Sequence, residues 1–194
     1  MNKLQDYSDI VGAYTIDELK ILAERLQSRS IQTINSTAVG GGVAEILNRM
    51  VPLLKEIGVN IRWDVIKGGM DFFNVTKKFH NALHGERVEI TDRDYEIFLE
   101  TSWRNIDEME ISGEIIFVHD PQPVALIRRR SGNKWIWRCH IDVSSPHEGV
   151  WNFIKGFVKN YDASVFSASA FSHPLAIRQF LIAPSIDPLS DKNR

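Results

Sequence analysis

Apolar residues along this chain follow two alternating rhythms. Runs of strand length, Ile31–Asn35, Ile61–Ile66, Glu114–His119, Lys134–Ile141, Ala163–Ser167 and Phe180–Ile182, are separated by longer stretches with helical spacing. Between the first two runs, Val43, Ile46, Leu47, Met50, Leu54 and Ile57 make one stripe that stops at Gly58. Pro52 lies inside that stripe and is expected to kink the helix or remove one of its hydrogen bonds. Phe72, Val75, Phe79 and Leu83 mark a second helix ending at His84-Gly85. Tyr95, Phe98, Leu99, Trp103 and Ile106 mark a third, opened by Thr91 or Asp92. A fourth has Ser145 as its predicted cap, Pro146 at its first position and Glu148 closing a capping box. A helix over Thr15–Gln27 reads as an appendage packed on the rest. Strand-length segments alternating with helices predict an α/β fold on a parallel sheet.

Composition narrows the class. The 194 residues suit one domain, and 43% hydrophobic with 25% charged content is that of a globular protein. A net charge of −2 gives no electrostatic reason to expect nucleic acid or anionic lipid, and Arg128-Arg129-Arg130 is too short a cluster to change that. No apolar run reaches the ~18 residues that mark a membrane span. The opening MNKLQDYSDIVGAY has no apolar signal core and Cys139 stands alone, so a reducing, cytoplasmic setting is expected.

In an open parallel sheet, ligands bind beyond the carboxyl ends of the strands. The first run leads through Asn35, Ser36 and Thr37 to Gly40-Gly41-Gly42 and then directly into a helix. Glycines at a helix N-terminus bring backbone N–H groups close to an anionic or polyhydroxy ligand. A tight β–α turn is the alternative use, although one glycine suffices for that. The loop is neither the dinucleotide fingerprint, because Glu45 stands where a third glycine belongs, nor a P-loop, because no Gly-Lys-Ser/Thr follows. The second run is followed by Lys67, Gly68 and Gly69. The third gives His119, Asp120, Pro121 and Gln122 at its end, and the fourth gives His140 and Asp142.

This polar set suits a sugar better than a lipid. His140 could instead be a core histidine bonded to a carbonyl, and Asp120 could cap a helix begun by Pro121. Asn74, Lys77 and Asn81 form a stripe that reads as a solvated face or as a site wall. His80 and His84 have the spacing of a zinc helix, but Asn81 replaces the glutamate of H-E-x-x-H and no third ligand is in evidence. Cys139 alternates with Trp135 and Trp137, as an inert packed thiol does. Ser144-Ser145 lacks the nucleophile elbow of a hydrolase.

Four motifs, NSTAVGGGVAEILNRMVPLLKEIGV, FFNVTKKFHNALHG, FVHDPQP and WRCHIDVSSP, together with the tail PSIDPLSDKN, resemble the N-terminal half of the trehalose glycosyltransferring synthases. These are retaining GT-B glycosyltransferases of family 4, related to the trehalose phosphorylases. The resemblance implies an α/β fold with a Rossmann-like parallel sheet, helices on both faces, forming the N-terminal half of a GT-B fold. It divides the chain into a helical extension over 1–30, an acceptor-binding domain over 31–183 and a linker over 184–194 towards a donor domain. The implied reaction makes trehalose from a nucleoside-diphosphate glucose and glucose, without metal or other cofactor.

Carried onto this sequence, Gly40, Gly41 and Gly42 would approach the donor phosphate and sugar. His140 would contact the transferred sugar in catalysis, with Asp120 beside the reacting groups and Gln122 facing the acceptor. Asn35, Lys67, Asn74, Lys77 and Asn81 would line the acceptor side. The family's Arg…Lys pair and acidic E-G-F-G-type segment belong to the second half, so the chain by itself is expected to be inactive. Its implied partners are sugars: glucose, trehalose and the nucleotide sugar. A homodimer is left open, although no patch in the sequence marks one. A stand-alone sugar-binding module, and half of a trehalose phosphorylase, remain alternatives.

Overall fold

The structure, a computed structural model, describes residues 3–190; positions 1–2 of the expected extension and 191–194 of the expected linker lie outside the described residues. Its centre is a six-stranded parallel sheet: β1 (Ile31–Asn35), β2 (Ile61–Val65), β3 (Ile115–His119), β4 (Lys134–Arg138), β5 (Ala163–Phe166) and β6 (Arg178–Leu181), in the order β2-β1-β3-β4-β5-β6. The helices are α1 (Ser8–Val11), α2 (Ala13–Glu24), α3 (Gly42–Glu56), α4 (Met70–Leu83), α5 (Asp92–Glu108) and α6 (Glu148–Val158). This is the Rossmann-like α/β architecture that the sequence predicts.

Period-two alternation along the strands separates two cores. One face sends Ile34, Ile116, Val118, Trp135 and Trp137 into a large cluster with Phe72 and Phe79 of α4, Phe98 of α5 and Ile154 of α6. The other sends Ile31, Ile61 and Trp63 against Leu47 and Val51 of α3, with Ala23 of α2 closing that cluster. Pro52 stays inside α3, which runs unbroken around it. The chain moves from β1 outward to β2 and then returns to β3 on β1's other side. The topological switch point therefore lies between the carboxyl ends of β1 and β3.

Two features place other elements at that carboxyl rim. α4 starts just after β2, and its last turn is tied to the loop after β4, where the His147 N–H donates to the Ala82 carbonyl at 2.8 Å. The helix thus spans the rim sideways. The same tie corrects the predicted cap of α6. Ser145 does not cap it: the helix starts after His147, which is bonded to the end of α4 and whose ring accepts from Val150 N–H. By contrast, of the two residues expected to open α5, Thr91 and Asp92, it is Thr91 that caps it, in a reciprocal box with Asp94. The tail also returns to the body, through Asp187 to the Tyr7 hydroxyl and to Arg49 on α3. Among the described residues no helix is long and apolar enough to cross a membrane.

Candidate functional site

The loop from β1 to α3 is held open by its backbone. Gly40 and Gly41 have φ of 74° and 83°, and Gly41, with ψ of 152°, occupies a region that only glycine adopts readily. Gly42 differs. Its φ is not positive, and a Cβ built on it would meet nothing within 4 Å, so neither backbone strain nor packing explains why it is glycine. No side chain caps α3, which leaves its first N–H groups at the rim. Asn35 does not face this space. It is buried, accepting from the Trp63 indole at 2.8 Å and donating to the Thr37 carbonyl at 2.7 Å, and so it shapes the start of the loop.

Across the switch point, β3 ends in His119 and Asp120. Asp120 is the one described non-glycine residue with positive φ, 63°. That turn directs its N–H to the Arg138 carbonyl at 2.8 Å and its carboxylate Oδ1 to the His140 N–H at 2.7 Å. The alternative use of Asp120 as a helix cap is not realised: the 3-10 segment Val124–Arg129 begins after Pro123. Desolvation raises the Asp120 carboxyl to about 7, against the opposing pull of the His140 N–H and the Arg138 charge.

His140 is not a core histidine bonded to a carbonyl. Its Nε2 lies 2.9 Å from Nδ1 of His119, the rings stack at 5.3 Å, and His119 Nε2 lies 2.9 Å from Thr33 Oγ1. Burial, reinforced by the neighbouring positive charge of Arg138, lowers His140 to about 4. Burial, His140 and Arg138 together lower His119 to about 3. Arg138, also buried, donates to the carbonyls of Phe166 and Ile182 and forms no salt bridge among the described residues, so its charge stays available beneath the rim. Cys139 is buried and its thiol is pushed well above its ordinary value by desolvation, as expected of an inert group.

The structure thus brings Gly40–Gly42, Asp120 and His140 to one rim. Gln122 is close by, but its Oε1 turns inward to a cavity of about 10 Å³ shared with Phe72 and Ser102 and has no partner among the described residues. Lys67 is exposed and pairs with Glu108 at 3.1 Å. Asn74 and Lys77 are exposed on the rim-spanning α4, and Asn81 is half-buried near its end. The sequence places His119 at the end of the third strand without giving it a role, and it gives no sign of Thr33 or Arg138. All three sit on strands and alternate as inward-facing residues do, and only the lateral register of β1, β3 and β4 makes them neighbours. Among the described residues no group of three or more His, Cys, Asp or Glu could hold a metal ion.

Fold and rim together define a Rossmann-like domain with a polar, histidine-bearing site at its topological switch point. The chain belongs to the family described as "Trehalose synthase, N-terminal domain", whose profile matches residues 33–173. It is 45% identical to a trehalose synthase of Pyrococcus horikoshii over 98% of this chain and 47% of that protein. It is 44% identical to a trehalose synthase of Rubrobacter xylanophilus over 98% of this chain and 48% of that one. A trehalose phosphorylase of Pleurotus pulmonarius is more distant, at 25% identity over 91% of this chain and 26% of its own length. The chain spans about half the length of the curated trehalose synthases it matches.

Proposed function

We propose that this chain is the acceptor-side domain of a retaining glycosyltransferase that makes trehalose from a nucleoside-diphosphate glucose and glucose. The observation that carries the reading is the meeting of an uncapped glycine loop, Asp120 and His140 at the switch point of a domain from this family. The uncapped start of α3 suits the donor's phosphate, because backbone N–H groups and the helix dipole both favour an anion there. A neutral His140 next to it suits a sugar hydroxyl, and Asp120, with a carboxyl near neutrality, suits a partner that exchanges a proton with the acceptor. The exposed face of α4, with Asn74, Lys77 and Asn81, would be the wall on which the acceptor glucose lies, with Gln122 facing it once its amide turns outward. Lys67 stands at that wall's start, while Asn35 acts through the loop that it holds.

In this reading residues 31–183 are the acceptor domain, preceded by the helical extension and followed by a linker. Transfer also needs charged groups on the leaving diphosphate, which the remaining length of a full-length relative would supply. The 194-residue chain alone then forms no disaccharide. The test is an assay of trehalose from nucleoside-diphosphate glucose and glucose, comparing this chain with a protein extended to the relatives' full length. Trehalose from the extended protein only is the expected result. No disaccharide from any nucleotide-glucose donor refutes the reading.

A further inference from the structure

Thr33, His119 and His140, on or just after three adjacent strands, form one hydrogen-bonded line with both contacts at 2.9 Å. Each contact needs one donor and one acceptor, and each neutral imidazole carries a single N–H. Both rings are neutral near pH 7, because burial holds their pKa values well below the ordinary histidine range. Thr33 is buried, and among the described residues its hydroxyl has His119 as its hydrogen-bond partner. The hydroxyl proton is therefore satisfied by pointing at Nε2 of His119. That places the His119 proton on Nδ1, where it donates to Nε2 of His140. The one N–H of His140 is then on Nδ1, the nitrogen that no described residue engages. The opposite arrangement would leave the Thr33 proton buried without an acceptor.

We propose that Thr33 and His119 are positioning residues that fix the tautomer of His140, so that it offers an Nδ1–H donor to an oxygen of the bound sugar or its phosphate. A histidine whose proton position is set by the hydrogen bond at its other nitrogen is a donor of fixed direction. The identity of the bound oxygen rests on the function proposed above; the tautomer does not.

Long-range proton–nitrogen NMR spectra of the histidine-labelled 194-residue chain, without sugar, test the assignment directly. The expected spectrum has His140 protonated at Nδ1 and bare at Nε2, and His119 likewise. Protonation of His140 at Nε2 overturns the proposal, and this reading needs no variant. Thr33→Val removes the hydroxyl at constant shape and is expected to shift His140 towards the Nε2–H form that a free ring prefers. Thr33→Ser is expected to restore the wild-type pattern. A Thr33→Val spectrum identical to wild type also overturns the coupling. Loss of sugar binding with the Nδ1–H tautomer intact would instead count against the proposed function and leave this inference standing.

Discussion

His119, His140 and Asp120 are in contact yet respond to acid in opposite directions. Both histidines have folded pKa values, about 3 and about 4, below the ordinary 6.5, so between these limits the unfolded chain binds two protons that the fold excludes. Asp120, raised from 3.8 to about 7, holds one proton in the fold that the unfolded chain has released. The balance near pH 5 to 6 is about one proton in favour of the unfolded state, so stability falls on acidification by about 1.4 kcal/mol per pH unit. Asp120→Asn keeps an acceptor for the His140 N–H but removes the opposing titration, and the slope should then rise to about 2.8 kcal/mol per pH unit. Urea unfolding at two pH values in this window measures both slopes; equal slopes would show that Asp120 is ionised in the fold.

His140→Ala in the full-length protein should lower turnover about 100-fold, the loss seen when a preorganised hydrogen bond to the transition state is removed. A wild-type rate in that variant removes His140 from the chemistry. His140 and Asp120 are legible in the sequence because they follow strands, where ligands bind. Thr33 is not, and His119 is legible only as one more polar residue at a strand end, because the line they form comes from which strands lie side by side.

The loop into α3 separates a structural from a functional use of glycine within three residues. Gly41→Ala forces a Cβ into a glycine-only conformation and should cost roughly 1–3 kcal/mol of stability. Gly42→Ala meets no neighbour, sits at the first position of the helix and should be neutral or stabilising by up to about 1 kcal/mol. If a ligand approaches the backbone there, the same methyl group should weaken binding of the nucleotide sugar several-fold. Thermal unfolding and calorimetric titration of the two variants distinguish these outcomes; unchanged binding in Gly42→Ala would make the loop a turn and nothing more. The order of glycines and helix was plain from the sequence, and so, to within one residue, was the start of α5 at Thr91 or Asp92, because a cap needs only neighbours within its own turn. The start of α6 was not, because a bond from His147 to the end of α4, far away in sequence, decides it.

Across the whole molecule, alternating short and long apolar segments were enough to read a parallel α/β sheet, while strand order and the sideways course of α4 emerge only from long-range packing. That course matters, because it turns a stripe of Asn74, Lys77 and Asn81 on one helix into a wall along the rim. Under the proposed function, this rim is a sugar and nucleotide-sugar site carried by the chain itself. Amide NMR of the labelled 194-residue chain, titrated with glucose and then with a nucleoside-diphosphate glucose, tests it most directly. Progressive shifts confined to Gly40–Gly42, Asp120, His140 and the exposed face of α4 are the expected result. Spectra unchanged up to tens of millimolar sugar, or shifts that gather elsewhere on the surface, would contradict the account.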